Sequence, residues 1–127
     1  MRKKRSKAPA IQWLDEPEEM NYPAALSYLS LSLPPKRAKK LVAELRESPV
    51  VEFKSKDIFR ASQLSLLGIS NSHVDRDLRK IRSGKKLSPI LLVRVPELMR
   101  VVVADGYHRM CAVYSLDEDA VIPCKIA

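Results

Sequence analysis

Apolar residues recur along this chain in three rhythms, and each rhythm predicts a different kind of element. In residues 50–54 they alternate, with Val51 and Phe53 on one face and Glu52 on the other, towards the expected cleft. That is the period of a strand with one buried face. In residues 100–104 the apolar run Val101-Val102-Val103-Ala104 has no alternation at all, which predicts a strand buried on both faces. Residues 87–95 form a further apolar stretch with Pro89 near its start, where a missing N–H is tolerated. Residues 96–99 then turn the chain, so these two strands are expected to pair as an antiparallel hairpin. Residues 121–126 read as a last strand.

The third rhythm is helical. Ala38, Leu41, Val42 and Leu45 share one face of a helix over residues 34–47. A shorter helix is predicted over residues 22–31, with Pro23 in its first turn. Residues 55–67 suit a turn and a short helical piece ending at Gly68. Val74, Leu78 and Ile81 form the buried stripe of another helix starting near Asn71, with Ser72 as the expected cap, Asp75 three residues on, and Gly84 at its end. Residues 107–116 complete the helices. The fold class is therefore α+β, a small mixed sheet of about four to five strands with helices packed on it. Three segments follow: a disordered basic tail (1–10), an N-terminal helical extension capping the sheet (11–49), and the main domain (50–127).

The candidate chemistry lies where the buried strand meets the last helix, at Asp105-Gly106-Tyr107-His108-Arg109. Glycine permits a sharp strand-to-helix turn. The first backbone N–H groups of the helix then have no intrahelical partner, and the helix dipole favours an anion above them. His108 and Arg109 bring side-chain donors to the same turn, and a guanidinium can grip phosphate with two parallel hydrogen bonds. Gly106, Tyr107, His108 and Arg109 are the expected phosphate ligands. The plainer alternative is an ordinary turn followed by a solvated helix start.

Charge adds a second candidate. The net charge is +8 with a pI near 9.7, which favours anionic partners. Part of that charge is the tail, Arg2, Lys3, Lys4, Arg5 and Lys7. In the ordered part the densest cluster is Arg76, Arg79, Lys80, Arg82, Lys85 and Lys86, a candidate nucleic-acid surface without the aromatic residues that stack on single-stranded bases. The acidic stretch over residues 15–19 is available to pair with a basic face. The two cysteines, Cys111 and Cys124, make no disulfide framework, so a reducing cytoplasm is the default. No apolar run approaches a membrane span, and the basic start is not followed by a signal-peptide core. The 127 residues suit a single domain.

The apolar strand, the Asp-Gly-Tyr-His-Arg turn, the apolar helix and the strand Val121-Ile-Pro-Cys-Lys-Ile126 together resemble the core of the ParB/sulfiredoxin superfamily. Upstream, residues 81–94 are similar to the helix, glycine and Pro-Ile strand that precede the motif in ParB-type domains. The resemblance spans roughly residues 50–126. It implies that a Gly-x-His-Arg turn holds the phosphates of a nucleotide, with Mg²⁺ as a candidate companion and Asp105 as its candidate ligand. By the same analogy Asp105 and Glu52 are the carboxylates available for hydrolysis of a nucleotide or nucleic acid. Two departures matter. Sulfiredoxins carry their reactive cysteine where this chain has Tyr107, so that activity is not expected. ParB proteins carry an acidic residue there and continue into a DNA-reading helix-turn-helix.

Zinc is not expected either. His108, Cys111 and Cys124 are only three candidates, and a closed structural site needs four ligands. Two functional expectations remain open: a nucleotide- or phosphate-binding module, with or without hydrolysis, and a non-catalytic DNA-associated or regulatory module using the basic helix 73–86 and the tail.

Overall fold

The computed structural model describes residues 10–68 and 70–127, so the expected disordered tail lies almost wholly outside the described residues. One sheet of four strands organises it, in the order β1-β4-β2-β3, with β1 at Val51–Lys54, β2 at Ile90–Val95, β3 at Arg100–Asp105 and β4 at Val121–Ile126. The sheet is mixed: β4 runs parallel to β2 and antiparallel to β1, and β2 and β3 form the expected antiparallel pair. A register shift between Leu91 and Leu92 interrupts that pair.

Both faces are covered. On one, Ile90, Leu92, Val103, Ile122 and Cys124 pack with Ile58, Val74, Leu78, Ile81 and the apolar residues of α5 (Tyr107–Leu116). The helices on this side include α3 (Ser55–Ser62) and α4 (Ser72–Arg82). On the other face, Leu91, Val93 and Ala104 pack with α1 (Asn21–Leu29) and α2 (Pro35–Glu47), through Tyr22, Ala25, Leu29, Ala38, Val42 and Leu45. Alternate β2 side chains thus enter opposite cores, and burial of both is the main driving force for layering the helices here.

The helices before residue 50 are the second layer of the core. They are also stitched on by backbone bonds. Trp13 bridges Leu87, with Leu14 N–H donating to Leu87 O and Leu87 N–H to Gln12 O, each at 2.8 Å. The acidic stretch pairs as anticipated, through Glu16 to Lys125 and Glu19 to Arg46.

Several boundaries differ from the sequence reading. The strands with four successive buried residues are the two central ones, β2 over Ile90–Val93 and β4 over Ile122–Lys125. β3 is an edge strand on which Arg100 is exposed and only Val103 and Ala104 are buried. An apolar run reports on the faces of a strand and says nothing about which neighbours flank it. α3 ends early, at Ser62, because Gln63 turns into the left-handed region at φ 57°. Asn71, rather than Ser72, caps α4: its side chain accepts from His73 N–H and Val74 N–H. Gly84, at φ 78°, does close α4, with Gly84 N–H donating to Ile81 O and Lys85 N–H to Lys80 O, the paired bonds of a Schellman end.

Candidate phosphate-binding site

β3 ends at Asp105, and the chain enters α5 through Gly106 at φ 112°. Space as well as torsion requires glycine there. A β-carbon would lie 2.8 Å from Ile90 Cβ and 2.9 Å from Arg109 Nη2, closer than real contacts allow. No side chain caps α5, so its first amides keep the open valences of a free helix start.

Arg109 is not the exposed first-turn residue that its position suggested. Its side chain is only 17% exposed and folds back to Asp105, with Nη2 3.1 Å from Oδ2. Its Nε is buried and has no hydrogen-bond partner among the described residues. A buried donor left unpaired costs about 1–3 kcal/mol.

The turn forms part of a cavity of about 380 Å³, within the range of small-ligand sites. Gly106 to Arg109 line it together with Arg76, Asp77 and Lys80 of α4, and with Lys86 from the loop after that helix. The two features that looked separate in sequence therefore share one site, because α4 packs directly on α5. The basic cluster itself divides. Arg76, Lys80 and Lys86 face the cavity, Arg79 is held by Asp75 at 2.6 Å, and Arg82 and Lys85 stay exposed outside it.

His108 lies against His73 of α4, with ring centroids 4.8 Å apart. Burial holds the His108 pKa below its ordinary value, and His73, Arg76 and Arg109 add to the effect while Asp77 opposes it. The neutral form of the imidazole is thus favoured in the free protein. The Tyr107 hydroxyl donates to the Ser65 carbonyl, tying the turn to the irregular segment after α3. Burial, followed by Cys111, raises the Tyr107 pKa.

Glu52 does not join the site. It is exposed on β1, at the opposite edge of the sheet from β3, and does not line the cavity. Asp105 does line it, but its carboxylate is engaged by Arg109. No group of three His, Cys, Asp or Glu side chains converges to hold a metal among the described residues. A Mg²⁺ ion bound with phosphate commonly takes only one or two protein carboxylates, and Asp77, Asp105 and Glu18 are those available here. Cys111 and Cys124 are fully buried, and burial raises both thiol pKa values, Cys124 to about 12. Neither is a ready thiolate.

Sequence reasoning missed Glu18, Asn21 and Ser88, which form a second wall of the cavity, and Asp77 and His73 on α4. One of these was legible. Asp77 falls at 77 in the buried spacing 74, 77, 78, 81 and is itself 4% exposed, an acidic residue in an apolar stripe. A scan against family models, a search of curated proteins and a search of solved structures each found no match.

Proposed function

We propose that this protein binds a small phosphorylated ligand in the cavity above Gly106, a nucleotide being the class that the ParB/sulfiredoxin resemblance suggests. The observation that carries the reading is the buried, unpartnered Nε of Arg109 beside a glycine-opened helix start. A phosphate oxygen would give that donor an acceptor and meet the amides of the first turn of α5. Arg76, Lys80 and Lys86 would supply further charge. Asp105 acts here as the group that positions the Arg109 guanidinium. If hydrolysis accompanies binding, His108 and Asp77 are better placed than Glu52 to move a proton.

Calorimetric titration with inorganic phosphate, pyrophosphate and ADP, with and without Mg²⁺, tests the reading. Arg109→Ala is expected to weaken binding by about ten- to a hundredfold, the worth of one charge-assisted hydrogen bond. Exposed Lys80→Ala should weaken it less without touching the fold. A wild type that binds none of these at millimolar concentration overturns the proposal.

The DNA-associated alternative retains one observation in its favour: Arg82 and Lys85 are exposed and make no salt bridge among the described residues. Reversing both to Glu would then flatten the salt dependence of DNA binding, by about one unit of slope per lost phosphate contact.

A further inference from the structure

The second wall of the cavity contains a directed donor. Ser88 Oγ accepts the backbone N–H of Glu18 at 3.0 Å, and its own hydroxyl hydrogen goes to Asn21 Oδ1. That bond orients the amide: with Oδ1 used, the NH₂ group is left over. Asn21 is 6% exposed and lines the cavity, and its Nδ2 has no acceptor among the described residues. Glu18, held beside it by the same serine and by Asn21 N–H donating to Glu18 O at 3.0 Å, also lines the cavity and adds a carboxylate. The cavity thus holds Arg76, Lys80, Lys86 and Arg109, with Asp77 and Asp105 among them, and beside these an amide donor next to the Glu18 carboxylate.

We infer that this second wall selects the uncharged body of the ligand, and that the body carries hydroxyl groups. A hydroxyl is the group that can both accept from Asn21 and donate to Glu18, and a vicinal pair of them can do both at once. Glu18 also disfavours a second phosphate or a nucleic-acid backbone at that wall, because like charges repel at short range. The class is a phosphorylated polyol, whether a free sugar phosphate or the ribose of a nucleotide. This inference rests on the proposed phosphate site and adds a specificity determinant from outside the region of the family resemblance.

The experiment compares two phosphate monoesters of matched charge on the wild-type protein, ribose 5-phosphate and butyl phosphate, which has no hydroxyl on its chain, with inorganic phosphate as the reference. Ribose 5-phosphate is expected to bind about tenfold more tightly than butyl phosphate, the worth of one well-made hydrogen bond. Asn21→Ala and Glu18→Gln should each reduce that preference, read as the ratio of the ribose 5-phosphate and butyl phosphate affinities, in which any general change in phosphate affinity cancels. Glu18 is exposed, so its variant serves even if the buried Asn21 variant does not fold. AMP binding more tightly than ribose 5-phosphate supports the inference with a nucleotide as source. AMP binding equally or less tightly supports it with a sugar phosphate. Equal affinity for ribose 5-phosphate and butyl phosphate overturns the inference and leaves the phosphate site standing. Failure to bind even inorganic phosphate overturns both.

Discussion

Two cations are drawn deep into this small fold, and their surroundings differ in one respect. The Lys125 side chain, 4% exposed, donates to the Arg46 carbonyl at 3.0 Å, pairs with Glu16 at 3.1 Å and lies 5.8 Å from the centre of the Tyr22 ring. Burial alone would lower its pKa, but the neighbouring Tyr22 and Glu16 outweigh that and raise it. Among the described residues Arg109, 17% exposed, pairs with Asp105 alone, and its Nε has no partner. A buried charge is tolerated when its hydrogen-bonding capacity is used. Lys125 meets that condition within the fold and ties β4 to the N-terminal segments. Arg109 meets it only in part, at the mouth of a polar cavity. The first arrangement is architecture, and the second is where the proposed ligand would bind.

The largest expected effect comes from breaking the turn that fixes the Arg109 side of this comparison. Gly106→Ala would force a β-carbon against Ile90 and into a φ of 112°. Strain and overlap together predict a loss of about 2–6 kcal/mol, read as a fall in the urea midpoint. A midpoint within error of wild type would mean that the turn relaxes freely and that glycine is not required.

The next test opposes the two cations directly. Lys125→Met removes a charge-assisted bond to a buried carbonyl and should cost about 1.5–3 kcal/mol, with ligand affinity unchanged. Arg109→Ala should cost less, about 1 kcal/mol or under, because deleting an unsatisfied donor offsets the lost contact with Asp105. Its effect should fall on phosphate affinity. The Lys125 contribution also has a pH signature. Its folded pKa is raised above 10.5, so the stabilisation is complete below that value and is lost as pH rises through the folded one. The opposite order of stabilities would place the architectural role at Arg109.

Most of the elements were legible because local rules and tertiary packing agree in them. The spacing of Ala38, Val42 and Leu45, and of Val74, Leu78 and Ile81, placed the correct faces inward. The Asp105–Arg109 turn could be located because glycine between an apolar strand and an apolar helix has few other uses. The pairing of Arg109 with Asp105, by contrast, depends on a side chain folding back over Gly106, which no one-dimensional pattern encodes. The second wall was hidden for another reason. Asn21 and Ser88 are 67 positions apart, and only the packing of α1 against β3 and the segment before β2 brings them together. Glu52 misled because alternation assigns a residue to a face of the sheet without saying which strand neighbours it.

The smallest effect concerns the two imidazoles that border the cationic wall. His108 faces His73, Arg76 and Asp77 on α4 and Arg109 on its own helix, and its folded pKa lies below 6.5. The unfolded chain therefore binds the proton more readily between those two values, and stability should decline as pH falls through that window. A bound anion reverses the balance by favouring the imidazolium, so anion affinity should rise a few-fold across the same window. Sulfate is the suitable probe, because its own charge is constant there. Titrating the imidazole resonances with and without sulfate should show the His108 pKa moving up on binding. His73→Gln should move it up in the free protein, by removing a neighbour that holds it down. If sulfate binds and the His108 titration does not move, the ring faces away from the anion, and the cationic wall consists of Arg76, Lys80, Lys86 and Arg109 alone.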